Sequence, residues 1–301
     1  MDVKKILILG SGTMGRQVAW LSAKAGLETV VYDISTELLE DAQKGVEKIA
    51  GKAVKKGQME QDASAQALSR IAFETDAEAA AKDVDLISES IPEDPKLKGE
   101  VFRRFHELCP ERTIFTTNTS TLLPSMFAEA TGRPQKLVAL HFHAPETDRI
   151  VDVMPHKGTD PETVATTKSY AETIGMIVIE LTKESPGYVF NAMLSALLGS
   201  ALTLASNGVA KPEDIDRAWM GIMNTLPGPF GLMDHVGLET VWKVTDFWAQ
   251  KTGNEQNLKN ADYIKTFVDA GTLGMKTGEG FYSYPDAPWL QPDFVEKGGK
   301  R

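Results

Sequence analysis

Apolar positions along this chain fall into short runs separated by stretches of helical spacing. The first run closes on Ile6–Leu9 and predicts a buried strand over Val3–Leu9. Thr13–Ala25 has the spacing of a helix and is closed by Gly26. Glu28–Asp33 predicts a second strand, and Ser35 is placed to cap a long polar helix running past Val46. Lys52–Ser69, charged and alanine-rich, predicts a further exposed helix. Ile71–Phe73, Val84–Glu89, Ile114–Thr117, Lys136–Phe142, Ile150–Met154 and Met176–Leu181 predict the remaining strands. Strands alternating with helices argue for a mainly parallel sheet covered on both faces.

The pattern changes near residue 185. SPGYVFNAMLSALLGSALTLASNG carries small and apolar residues on several faces, which predicts a helix buried nearly all round. KPEDIDRAW, LETVWKVTDFWAQKTG and NADYIKTFVDAG follow, each with helical spacing and a cap or glycine stop. The expected class is α/β, with a sheet domain over residues 1–184 and an all-helical domain over 185–285. Residues 286–301, proline-rich and then lysine-rich, are expected to form an extended tail.

Composition narrows what such a chain can do. A net charge of -10 argues against nucleic acid, which selects basic faces. No apolar run approaches the ~20 residues of a spanning helix, and the N-terminal apolar stretch is too short for a signal peptide. The one cysteine, Cys109, excludes an internal disulfide framework and reads as structural, so a reducing, cytoplasmic setting is expected.

The first strand runs into GSGTMG, which matches G-x-G-x-x-G. The pattern alone is weak. Here it follows a strand, opens a helix and is followed by an acid, Asp33, at the end of the next strand, which is the context of a Rossmann-type dinucleotide site. Gly10 allows the tight turn, Gly12 lets a pyrophosphate approach the helix N-terminus, and Gly15 allows close helix–strand packing. Thr13 and Met14, inside the same loop, are expected cofactor contacts. Asp33 should accept hydrogen bonds from the adenosine ribose and repel a 2′-phosphate, so the expected cofactor is NAD.

Two later segments carry polar groups to strand ends, and a third opens the first helix of the second domain. TNTSTL holds Asn118, Ser120 and Thr121. LHFHAPETDRIVDVM holds His141 and His143, with Asp152 in the next strand. SPGYVFN holds Asn191. Together with SESIPED, GPFGLMDHVGL and KTGEGFY these segments fall in an order and spacing that resembles the L-3-hydroxyacyl-CoA dehydrogenases over nearly the whole chain. The resemblance implies a Rossmann-type NAD domain followed by a helical dimerisation domain, a homodimer, and interconversion of 3-hydroxyacyl and 3-keto thioesters. It implies His141 as the catalytic acid/base, with Asp152 as its partner. Ser120 and Asn191 match groups that bond the substrate oxygen or that histidine. Glu93, Lys98 and Asn118 match nicotinamide-side contacts. No resident metal is expected.

The residues themselves fit that chemistry, because hydride transfer from a carbinol needs a base for the hydroxyl proton and histidine titrates near neutrality. Two departures stand out. The family run is similar to HFFNP followed by a glutamate; here it is HFHAP, and an aspartate follows one residue sooner. Glu146 and Asp148 are fallback partners for the histidine. These changes, and GMIVIELTKESPGYVFN, look closest to the diketoreductase-like branch, so a non-CoA 3-hydroxy acid or keto ester is the alternative small-molecule substrate. A non-catalytic NAD-binding protein is the third reading, and the intact His141 argues against it. Lys52, Lys55 and Lys56 either meet coenzyme A phosphates or form a solvated face. His106 is expected to face solvent, and His156 and His235 to be structural.

Overall fold

Ile6–Leu9 has no polar side chain because neither face of its strand meets water. Ile6 and Ile8 enter one core cluster and Leu7 and Leu9 another, on opposite sides of the sheet. The structure, a computed structural model, describes residues 1–296. Within them the chain divides into two compact units, Met1–Val189 and the part from Phe190 onward.

The first unit runs β1 (Lys5–Leu9), α1 (Thr13–Lys24), β2 (Glu28–Tyr32), α2 (Thr36–Lys55), α3 (Gln61–Leu68), β3 (Ile71–Glu74), α4 (Ala77–Ala81), β4 (Leu86–Glu89), α5 (Pro95–Leu108), β5 (Ile114–Thr117), β6 (Leu137–Phe142), β7 (Ile150–Pro155), α6 (Pro161–Thr173) and β8 (Ile177–Glu180). The strands form one sheet in the order β3-β2-β1-β4-β5-β6-β7-β8. Its pairs are parallel except β6 with β7, which form an antiparallel hairpin. The order reverses between β1 and β4, the place where open α/β sheets gather their ligands.

Two local expectations change. The helix capped by Ser35 runs on to Lys55, and the chain breaks at Gly57, whose φ of +65° suits glycine, before α3 begins. His106 is half-buried and bonded rather than free in solvent. Its Nδ1 accepts from Arg133 Nε at 2.9 Å, and the buried Arg133 donates on to the carbonyls of His106 and Pro110, both at 2.7 Å. A guanidinium thus closes the C-terminal end of α5, where carbonyls lack helical partners. Cys109 is buried there, and burial pushes its thiol up to about 11, as befits a structural cysteine.

The second unit holds α7 (Phe190–Ser206), α8 (Pro212–Met223), α9 (Pro229–Val236), α10 (Leu238–Thr252) and α11 (Glu255–Asp269). The expected all-round burial of α7 does not hold within one chain: Leu198, Ala201 and Leu202 are its buried residues, whereas Phe190, Met193 and Leu204 are exposed. The tail expectation is also corrected. Ala287, Trp289 and Phe294 are buried in the core of this unit, and Arg217 donates to the Phe294 carbonyl at 2.9 Å. The prolines shape a packed segment because apolar rings sit between them. The expectation for residues 297–301, the lysine-rich end, lies outside the described residues.

Two buried carboxylates organise this unit. Asp216, from α8, accepts from the Phe230 and Gly231 amides at 2.7 and 2.9 Å and from the Tyr282 hydroxyl at 2.9 Å, so it caps α9 from outside. Asp234 accepts from the Phe281 and Tyr282 amides, each at 2.9 Å. Burial pushes Asp216 up to about 6 against the pull of its donors, and burial raises Asp234 as well. Both therefore hold protons more tightly folded than unfolded, and their contribution to stability is lost as pH rises through the raised values. Measured against Asp216→Asn, wild-type stability in thermal unfolding is expected to decline by up to about 3 kcal/mol across roughly pH 4–7. A difference that stays flat over that window would contradict the assignment.

Candidate active site

The glycine loop is shaped as its spacing predicts. Gly10 has a φ of +97°, and a Cβ there would lie 2.6 Å from the Ser90 carbonyl oxygen. A Cβ on Gly15 would lie 2.0 Å from the Gly10 oxygen, so α1 can touch the strand tip only without a side chain. Above Gly12, by contrast, nothing lies within 4 Å among the described residues. Gly12 is the N-cap of α1, and among the described residues no side chain caps that end and no acid sits in its first turn. Thr13 and Met14 form that first turn, with Thr13 exposed. Open space over uncapped backbone N–H groups suits an anionic diphosphate. At the tip of β2, Asp33 Oδ2 accepts from the Ser11 amide at 2.8 Å and the Ser11 hydroxyl at 2.7 Å, which fixes the carboxylate beside the loop. These residues fit NAD.

A charged network lies at the tips of β4 and β5. Lys98, from α5, is buried with its Nζ 2.5 Å from Glu89 Oε1 and 3.3 Å from Glu93 Oε2. Glu89 closes β4, is wholly buried, and also accepts from the Thr117 hydroxyl at 2.6 Å and the Ile91 amide at 2.7 Å. Burial raises the Glu89 pKa despite Lys98. Glu93 gathers the next loop: its Oε1 accepts from the Thr119 hydroxyl, from the Ser120 and Thr121 amides at 3.2 Å each, and from the Thr121 hydroxyl at 2.9 Å. Burial opposes ionisation of Glu93, but the Thr119 hydroxyl, Lys98 and Thr121 hold it below the usual carboxylate range. Asn118 accepts from the Phe142 amide at 2.8 Å and so ties the tip of β5 to the tip of β6. Ser120 is exposed beside this junction.

The β6–β7 hairpin carries the histidines. His141 and Asp152 stand directly opposite each other in its antiparallel register, so their side chains share one face. His141 Nδ1 lies 3.3 Å from Asp152 Oδ2. His143, two residues on and hence on the same face, brings Nε2 to 2.8 Å from that same oxygen. All three are largely buried, at 5%, 1% and 15% side-chain exposure for His141, Asp152 and His143. Burial disfavours a charged Asp152, but its hydrogen bonds with His141 and His143 outweigh burial and hold it below the usual carboxylate range. The fallback acids are engaged elsewhere. Asp148 accepts from the Ala144 and Ile150 amides and shapes the hairpin loop, while Glu146 lies 4.0 Å from Lys52.

Tyr188 was not among the expected residues. Its ring stacks on His141 with centroids 4.4 Å apart and planes at 15°, and its buried hydroxyl donates to the Thr119 carbonyl at 2.6 Å. It holds a φ of +55°, uncommon for a large side chain and a mark of over-determined sites. Glu89 and the close His143–Asp152 contact were also missed. An acid ending a buried strand run, LISE, was the available signal for the first, and equal face parity with His141 for the second. Asn191 lies in the first turn of α7, in the other unit.

Two family profiles cover this architecture: the NAD binding domain of 3-hydroxyacyl-CoA dehydrogenase matches residues 5–185 and its C-terminal domain matches residues 187–284. The chain belongs to the 3-hydroxyacyl-CoA dehydrogenase family. It is thus an NAD-dependent oxidoreductase acting on CH–OH groups. A probable 3-hydroxybutyryl-CoA dehydrogenase of Bacillus subtilis is 31% identical over 95% of this chain and 99% of its own length. Among solved structures, a diketoreductase described as a dual catalyst of dicarbonyl compounds shares 38% identity at a TM-score of 0.86, over 94% of this chain and 100% of that one. The (S)-3-hydroxybutyryl-CoA dehydrogenase of Ralstonia eutropha shares 28% at a TM-score of 0.86, over 95% and 100%. No helix among the described residues of this family member is long and apolar enough to cross a membrane.

Proposed function

We propose that this dehydrogenase interconverts an L-3-hydroxyacyl-CoA and its 3-ketoacyl-CoA, with His141 as the general acid/base. The observation that carries the reading is the in-register pairing of His141 with Asp152. Bound NAD supplies the hydride acceptor. His141 uses its Nδ1–H toward Asp152 Oδ2, which leaves Nε2 with the lone pair that takes the hydroxyl proton. As His141 becomes an imidazolium, Asp152 stabilises it, as the acid does in a serine-hydrolase triad. The stacked Tyr188 ring holds the imidazole plane. Ser120 orients the substrate oxygen. Glu93 fixes the backbone beside Ser120, and Glu93, Lys98 and Asn118 line the nicotinamide side. Gly10, Gly12, Thr13, Met14 and Gly15 hold the diphosphate, and Asp33 the adenosine ribose.

The likeness to the diketoreductase favours a second reading, reduction of a free 3-keto acid or keto ester. In this chain His143 and Ala144 follow the paired strand, so the hairpin tip differs from the family run. NADH oxidation with acetoacetyl-CoA, acetoacetate and a 3,5-diketo ester decides between the two. Preference for the thioester supports the first reading, and preference for the acid or ester replaces it with the second.

Asp33 carries a separate test. Asp33→Ser is expected to shift the kcat/KM ratio for NAD over NADP by roughly tenfold or more toward NADP, about 1.4 kcal/mol. An unchanged ratio would remove Asp33 from the ribose site.

The working form is a cytoplasmic homodimer. The lone buried Cys109 suits a reducing compartment. Phe190, Met193 and Leu204 on α7, with Ile222, Met223 and Leu226, expose apolar area typical of an interface. Light scattering is expected to give twice the 32.9 kDa chain mass.

A further inference from the structure

His141, His143 and Asp152 form more than a catalytic pair. One ring nitrogen from each histidine and one carboxylate oxygen lie within 4.8 Å of one another. We propose that this cluster is a binding site for a divalent transition ion, zinc above all, and that the bound ion switches the enzyme off.

The donor set is the first argument. Two imidazole nitrogens and one carboxylate oxygen suit zinc and its borderline neighbours, whereas magnesium and calcium favour all-oxygen shells. Spacing is the second. Ligands at about 2.1 Å from a tetrahedral ion stand about 3.4 Å apart. His141 Nδ1 already lies 3.3 Å from Asp152 Oδ2, His143 Nε2, at 2.8 Å, needs to retreat by about 0.6 Å, and the two ring nitrogens stand within 4.8 Å of each other. Rigidity is the third. All three ligands stand on one face of one hairpin, His141 and Asp152 in direct register, and the His141 ring is braced by Tyr188. His143 makes the difference, since it turns a two-ligand pair into a three-ligand site. It is also the most exposed of the three and marks the side from which an ion enters.

Binding has a chemical consequence for His141. An ion on Nδ1 displaces the proton held there. A neutral ring then carries its proton on Nε2, so that nitrogen donates and has no lone pair for the substrate hydroxyl. Asp152 is taken up by the ion at the same time. This consequence rests on the proposed role of His141, whereas the binding itself does not.

The test is a titration of the purified full-length protein, stripped with chelator, with cobalt(II). The readout is the visible absorption of a low-symmetry, four- or five-coordinate site, with zinc as competitor and no substrate present. The wild type is expected to bind one equivalent at micromolar concentration or below. His143→Phe and Asp152→Asn should each weaken binding by more than the roughly 10–100-fold that loss of a supporting contact costs a metal site. His235→Gln should bind as the wild type does. NADH binding and thermal midpoint verify that each variant is folded, and His143→Gln replaces His143→Phe if the latter is not. Binding equal in wild type and His143 variants, or none below millimolar ion, overturns the site. Zinc should also inhibit turnover, reversibly by chelator. Binding without inhibition overturns the switch while leaving the site. Lack of turnover with any tested substrate, together with tight binding, would count against the proposed reaction and not against the site.

Discussion

Alanine at position 141 is expected to lower kcat by about 10²–10⁴-fold while leaving NADH affinity within a few-fold of wild type. The split follows from placement. The cofactor loop sits at the tips of β1 and β2, whereas His141 stands on β6, across the reversal in strand order. Loss of the imidazole removes the acceptor for the hydroxyl proton without touching Gly12 or Asp33. It also removes the ring on which Tyr188 stacks, so part of any loss could arise from a shifted Tyr188 and the Thr119 carbonyl it holds. His141→Gln separates the two effects, because it keeps volume beside Tyr188 but offers no titrating nitrogen. Stopped-flow hydride transfer and NADH fluorescence titration on both variants make the measurement. If His141→Gln turned over like wild type, the base would be another residue and the proposed mechanism would be wrong.

The parts of the fold that local spacing controls were legible in the sequence. Ile6–Leu9, GSGTMG and Asp33 lie within one strand–turn–helix–strand unit, and each residue's reason is its immediate neighbours. Pairing across the hairpin was less so. The eleven-residue separation of His141 and Asp152 becomes an opposed pair only once the loop is closed, with Asp148 accepting from the Ala144 and Ile150 amides. Hairpin register depends on loop geometry, and a slip of one residue would have turned Asp152 to the other face. Glu89 was missed because a buried acid is read from its partner, and Lys98 comes from another element nine residues on. The C-terminal segment misled because prolines argue for an extended chain, while Trp289 and Phe294 find pockets that only the folded helices create. In each case the unread part depended on a partner from another element, which the spacing within one element does not supply.

Lys98→Met should be the most destabilising single change at the site, at about 3–5 kcal/mol. Met matches the length of the lysine stem, so packing changes little and the charge is what is lost. Glu89 would then be a wholly buried carboxylate with its cation gone and its Thr117 and Ile91 donors remaining. Burial already raises the Glu89 pKa, and removal of Lys98 takes away the strongest force holding it down. A carboxyl whose folded pKa lies above its unfolded value gives stability at low pH that is lost as pH rises. The deficit of Lys98→Met should therefore shrink as the solution is acidified. Combined with Glu89→Gln, which removes the stranded charge, it should recover by more than the single effects add, because the two groups are in contact. Thermal unfolding of the four proteins in this cycle, at neutral and mildly acidic pH, tests the argument. Glu93 gives the functional arm, since its cation at 3.3 Å also disappears and the carboxylate that holds the Ser120 amide is left less firmly placed. The double variant is accordingly expected to regain stability but not kcat. Additive destabilisation, independent of pH, would show that Lys98 acts through packing and that the buried network carries no electrostatic role.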